Sequence, residues 1–113
     1  MSEAKIDLVS QHCQPCKAGT PALKSQEVSK LLKSLKGWAL VDEAIAREFK
    51  FKNFYETMAF VNAVAWIANQ EDHHPDLEVG YSKCTVKFST HSVGGLSQND
   101  FICAAKVDAL LVS

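Results

Sequence analysis

Trp38-Ala39-Leu40-Val41-Asp42-Glu43-Ala44-Ile45-Ala46-Arg47-Glu48-Phe49-Lys50-Phe51-Lys52 is the stretch where the spacing of apolar residues changes, and with it the fold. Upstream, Val28, Leu31, Leu32 and Leu35 recur at helical spacing, behind Ser25 as an N-cap and ahead of Gly37 as the glycine that stops a helix. From Trp38 the period falls to two. Trp38 and Leu40, then Ile45, Phe49 and Phe51 beyond an Asp42-Glu43 turn, lie opposite Glu48, Lys50 and Lys52, which predicts two antiparallel strands. Asn53 and Glu56 make a capping box for a second helix. Its buried stripe is expected to be Phe54, Met58, Val61, Ala65 and Ala68, broadened by Phe60, Val64 and Ile67, as suits a helix pressed against a sheet.

Pro75 disfavours helical geometry at His74, so this helix is expected to end before Glu71-Asp72-His73-His74-Pro75, leaving the histidine pair at a helix-to-strand junction. Leu77, Val79 and Tyr81 alternate, Ser82-Lys83 can turn, and Cys84, Val86 and Phe88 alternate back as a second hairpin. Ser89-Thr90-His91-Ser92 and Val93-Gly94-Gly95-Leu96 lead to a last helix. It begins at Ser97, with Asp100 three residues on, and buries Phe101, Ala104, Ala105 and Leu111. The expected fold is α+β: a four-stranded antiparallel sheet with helices packed on one face, in the order α-β-β-α-β-β-α. Residues 1–22 read as an irregular N-terminal lead-in and 23–113 as a single domain.

The composition fits one globular domain: 113 residues, 47% hydrophobic and 22% charged, which excludes disordered and fibrous classes. Twelve Lys and Arg against thirteen Asp and Glu leave a net charge of −1, without the basic excess of a nucleic-acid module. Ala59 to Ala68, the longest apolar stretch, is interrupted by Asn62 and falls far short of the roughly 18 residues that span a bilayer, so no membrane association is expected. Met1-Ser2-Glu3-Ala4-Lys5-Ile6-Asp7 has acids and lacks the apolar centre of a secretion signal, so a cytoplasmic location with reduced cysteines is expected.

Of four histidines, His73, His74 and His91 fall at loop or strand-end positions, where rigid elements present functional groups. With Asp72, Asp76 and Asp100 nearby they could donate and accept protons near neutral pH, which points to acid–base chemistry without a metal. The plainer explanation is solvated loop histidines and a strand-end cap. A shared metal ion is disfavoured because adjacent residues in extended chain point to opposite sides. His12-Cys13-Gln14-Pro15-Cys16 holds a single Cys-x-x-Cys, short of a closed zinc set and without a preceding strand for a redox motif, and reads as two thiols in a mobile tail. Trp38, Trp66 and Tyr81 could stack on a flat ligand, though core packing explains Trp38 better. Gly94-Gly95 does not follow a phosphate-cradling pattern, and Lys30, Lys33 and Lys36 are the solvated face of the first helix.

Asp72-His73-His74-Pro75, followed by Tyr81, Ser89-Thr90-His91, Gly95-Leu96-Ser97 and Asn99-Asp100, resembles the pterin-4a-carbinolamine dehydratases, over nearly the whole chain from Gly37-Trp38 onward. The resemblance implies dehydration of 4a-hydroxytetrahydropterin to quinonoid dihydropterin, recycling the cofactor of aromatic amino acid hydroxylases, with no metal or organic cofactor. It implies His73 and His91 as alternative general acids on the two faces of the pterin and His74 as the residue that orients the ring and acts as base or relay. Asp72, Pro75, Ser89, Thr90, Ser92 and Asp100 would bind or orient the substrate; for Asp100, capping of the last helix is an equally weighted role. Many members carry an acid four positions before the first histidine; here that position is Asn69, so Glu71 or Asp72 would take its role, or it is absent. Implied partners are further copies of the chain, in a homodimer or homotetramer, and a phenylalanine hydroxylase. The alternative is a non-catalytic dimerisation or regulatory partner of a hydroxylase or a transcription factor.

Overall fold

A two-residue turn carries out the change of period. Asp42 takes the left-handed conformation (φ 55°), and the turn joins β1 (Ala39–Val41) to β2 (Ala44–Lys50) with Val41 opposite Ala44 and Leu40 opposite Ile45. β3 (Asp76–Val79) and β4 (Lys83–Phe88) form the second hairpin, and β4 pairs antiparallel with β2, giving the strand order β1-β2-β4-β3. With α1 (Ser25–Leu32), α2 (Phe54–Glu71) and α3 (Gln98–Ala109), this is the α+β arrangement and element order expected from the sequence. A 3-10 turn, His91–Val93, is added before α3. The computed structural model describes residues 7–17 and 19–111; residues 1–6, on which the secretion-signal reading rests, lie outside them. Among the described residues no helix is long and apolar enough to cross a membrane.

The core lies between the helices and the inward face of the sheet, where Ile45, Phe49, Cys84, Val86 and Phe88 meet Val28, Phe60, Val64, Phe101 and Val107. Phe88 and Phe101 are almost wholly enclosed, each stabilising the fold by about 1.5–3 kcal/mol. Arg47 shares this face, between Ile45 and Phe49. Its guanidinium lies 4.5 Å over the Phe49 ring and donates to Asp108 Oδ1 (2.8 Å) and the Lys36 carbonyl (2.9 Å). Trp38 Nε1 donates to the same carboxylate at 2.9 Å, and burial pushes Asp108 above the usual carboxylate range despite both partners.

Several local expectations are corrected. Lys24 caps α1 and Ser25 is its first residue; α1 stops at Leu32, so Gly37 does not terminate it. Gly37 instead takes φ 80° where a Cβ would lie 2.9 Å from Arg47 Nε, and it lets Arg47 reach the Lys36 carbonyl. Leu40 lies on an edge strand and is 54% exposed. The buried stripe of α2 is Thr57, Phe60, Val64, Ile67 and Ala68, with Phe54 and Ala65 outside it. Thr57 turns the helix this way, its hydroxyl lying 3.0 and 2.9 Å from the carbonyls of Asn53 and Tyr81. Tyr81 sits in the connection after β3, stacked on Phe54, and Lys83 already belongs to β4. Glu71 is the last helical residue of α2, and Leu111 lies beyond the end of α3, exposed.

Candidate active site

The end of α2 aims the first histidine. Asp72 is left-handed (φ 52°), and the Ala68 carbonyl accepts from both the Asp72 and the His73 N–H, so the chain reverses sharply. His73 is thereby laid flat against Phe88, with ring centroids 5.9 Å apart and planes 10° apart, and its Nε2 lies 2.6 Å from Asp100 Oδ1. Asp100, in the first turn of α3, is completely buried. Its Oδ2 accepts from the Ser97 N–H (2.9 Å) and the Thr90 hydroxyl (2.8 Å), so the helix cap and the histidine partner are served by different oxygens of one group. A carboxylate already taking two other donors favours the tautomer that carries its proton on His73 Nε2.

Thr90 is placed by its own backbone. Its N–H donates to the Gly95 carbonyl at 2.8 Å, closing a loop in which Gly94 takes φ 69° and His91 faces solvent. Thr90 lines two cavities. One, of about 530 Å³, holds His73, Asp72, Ser92, Asn99 and the lead-in segment 12–16; the other, of about 260 Å³, holds His91, Ser89, Asp76 and Lys87. Neither of these two cavities is lined by all three histidines: Thr90 stands between His73 and His91, and His74 lines neither. His74 and Pro75 continue into β3 with His74 exposed, its Nε2 3.4 Å from Asn69 Oδ1. Asp100 lines neither cavity and reaches their linings through His73 and Thr90.

Neither candidate substitute for an acid at position 69 turns to an imidazole of the pair. Asp72 is exposed at the cavity, and Glu71 points back to the lead-in. Burial opposes ionisation of Glu71, but the Cys13 N–H (2.7 Å) and His12 Nδ1 (2.9 Å) outweigh it and hold the carboxyl below its usual range. Residues 8–16 of the lead-in are thus a wall, not a mobile tail. Leu8 is in the core, and Asn99 clasps Gln14 through both the backbone N–H (3.0 Å) and carbonyl (2.7 Å). Nothing periodic in residues 7–22 signals this; the adjacent apolar pair Leu8-Val9 is the main hint. Among the described residues, no three of the His, Cys, Asp and Glu side chains are grouped to hold a metal ion.

The family described as pterin 4 alpha carbinolamine dehydratase matches residues 21–110. A protein of Nitrosomonas eutropha, provisionally named pterin-4-alpha-carbinolamine dehydratase, is 60% identical over 108 residues, 95% of this chain and 96% of its own. One from Legionella pneumophila (strain Corby), with the same provisional name, is 58% identical over 109 residues, covering 94% and 96%. The crystal structure of a Brucella melitensis protein called transcriptional coactivator/pterin dehydratase superposes with a TM-score of 0.77 at 36% identity, over 80% of this chain and 99% of that one.

Proposed function

Since the chain belongs to the pterin 4 alpha carbinolamine dehydratase family, we propose that it is a cytoplasmic hydro-lyase that converts 4a-hydroxytetrahydropterin to quinonoid dihydropterin and water. The observation that carries this reading is the His73 Nε2 contact to Asp100 Oδ1 at 2.6 Å beside an open cavity. In the substrate the ring-nitrogen lone pair expels the 4a-hydroxyl once that oxygen is protonated, while a base takes the N–H proton. One acid and one base that titrate near neutrality suffice, and imidazole supplies both.

His73 serves as a general acid in its protonated form, with Asp100 as the positioning residue that fixes its ring and stabilises the imidazolium. His91, across Thr90, serves the other face of the pterin, and the exposed His74, next in the chain to His73, orients the ring and relays the proton. Ser89 and Ser92 offer hydrogen bonds to the amide edge of the heterocycle. Thr90 is a positioning residue, because its hydroxyl is committed to Asp100. Asp72 lines the His73 cavity, and Pro75 orients the substrate indirectly by keeping His74 extended. The product feeds tetrahydropterin regeneration for an aromatic amino acid hydroxylase, phenylalanine hydroxylase being the candidate partner.

The separation of His73 and His91 supports a homo-oligomer, dimer or tetramer, in which a second copy completes the site; light scattering of the purified chain measures this. The name of the Brucella protein favours a second reading, a regulatory partner of a transcription factor or hydroxylase. Stopped-flow decay of enzymatically generated 4a-hydroxytetrahydropterin separates the two. Acceleration that is lost in His73→Ala/His91→Ala supports catalysis, whereas a partner-dependent phenotype that survives loss of all three histidines supports the regulatory reading.

A further inference from the structure

Cys13 Sγ lies 3.5 Å from Cys103 Sγ, with 90 residues separating them in the chain. Cys103 is fully buried on α3, one turn beyond Asp100, whereas Cys13 is half-buried in the wall of the His73 cavity. The dehydration uses neither thiol. From this contact, and independently of the dehydratase reading, we propose that Cys13 and Cys103 are a site of reversible oxidation that closes to an intrachain disulfide when the protein meets a hydroperoxide.

Exposure sets the order of events. Contact with Cys13, together with burial, pushes the Cys103 thiol far above the ordinary range, so it is protonated and shielded. Of the two sulfurs in contact, only that of Cys13 belongs to a residue lining the cavity. Its thiolate attacks the peroxide: an S–O bond forms, the O–O bond breaks, and an alcohol, or water from hydrogen peroxide, leaves with a proton. The resulting sulfenic acid lies against Cys103. An S–S bond then forms, the S–O bond breaks, and the departing hydroxide takes the Cys103 proton as water. Two thiols and one hydroperoxide give one disulfide, one water and one alcohol, the sulfurs being oxidised and the peroxide oxygens reduced.

The backbone selects Cys103 over the nearer-in-sequence Cys16. The Cys13 N–H is held by Glu71 and both backbone groups of Gln14 by Asn99, which directs the Cys13 sulfur to α3; Cys16 Sγ instead meets Asn99 Nδ2 at 3.8 Å. Closing the contact to a bond of about 2.05 Å draws the lead-in against the helix that carries Asp100 and locks that wall of the cavity.

The test is hydrogen peroxide treatment of the reduced full chain, followed by alkylation under denaturing conditions, intact mass and non-reducing peptide mapping. The expected result is loss of two of the four alkylatable thiols, a Cys13–Cys103 cross-linked peptide, and recovery of both thiols with dithiothreitol. Cys16→Ser is expected to keep the cross-link and Cys13→Ser to abolish it. A Cys13–Cys16 bond, a bond between chains, or oxidation of Cys13 to sulfinic acid without cross-linking overturns the proposal. The wild-type map decides this even if a Cys103 variant fails to fold.

Discussion

At the scale of the residue, Asp100 ties structure to chemistry: one oxygen caps α3 and receives Thr90, and the other holds His73. Asp100→Asn keeps the size of the side chain but places an amide against three donors, so kcat is expected to fall by about 10–100-fold. The pH–rate limb assigned to His73 should shift with it, which a merely structural loss would not cause. His73→Ala is expected to cost about 10²–10⁴-fold in kcat/KM, measured by stopped flow. The sequence made the histidines and Asp100 visible as candidates, because a proline fixed the junction and an acid three residues beyond a serine marks a helix start. It could not reveal that one carboxylate fills both roles, since that depends on Thr90 and His73 meeting over α3.

At the scale of the element, Arg47, Asp108 and Trp38 join β2, α3 and the start of the first hairpin on the inner face. Asp108→Ala leaves the buried Trp38 indole N–H without its acceptor and removes one of the two acceptors of Arg47, and is expected to cost about 1–3 kcal/mol in urea unfolding. Gly37→Ala, at positive φ against Arg47, is expected to cost about 1 kcal/mol by the same measure. Strand and helix identities were readable from apolar period alone. The side each element buries was less so: Thr57, a polar residue, sits at the foot of the α2 stripe because its hydroxyl finds two carbonyls, and edge strand β1 exposes Leu40 although its spacing matches Trp38.

At the scale of the whole molecule, segment 12–16 walls one side of the cavity and Glu71 is its anchor. The folded pKa of Glu71 is lowered from 4.5, so its contribution is fully present above that value and is lost as pH falls through the lower folded value. The stability difference between wild type and Glu71→Gln is therefore expected to be constant from about pH 7 to about pH 5 and to shrink on further acidification, followed by urea unfolding at each pH. This wall was not legible in the sequence, because contacts of Cys13 and Gln14 with Glu71 and Asn99 span most of the chain and leave no local period. The most direct measurement of the central claim is the decay rate of enzymatically generated 4a-hydroxytetrahydropterin with wild type and with His73→Ala/His91→Ala. The expected result is strong acceleration by wild type that the double variant loses while remaining folded; no acceleration by wild type, or full activity in the double variant, would contradict it.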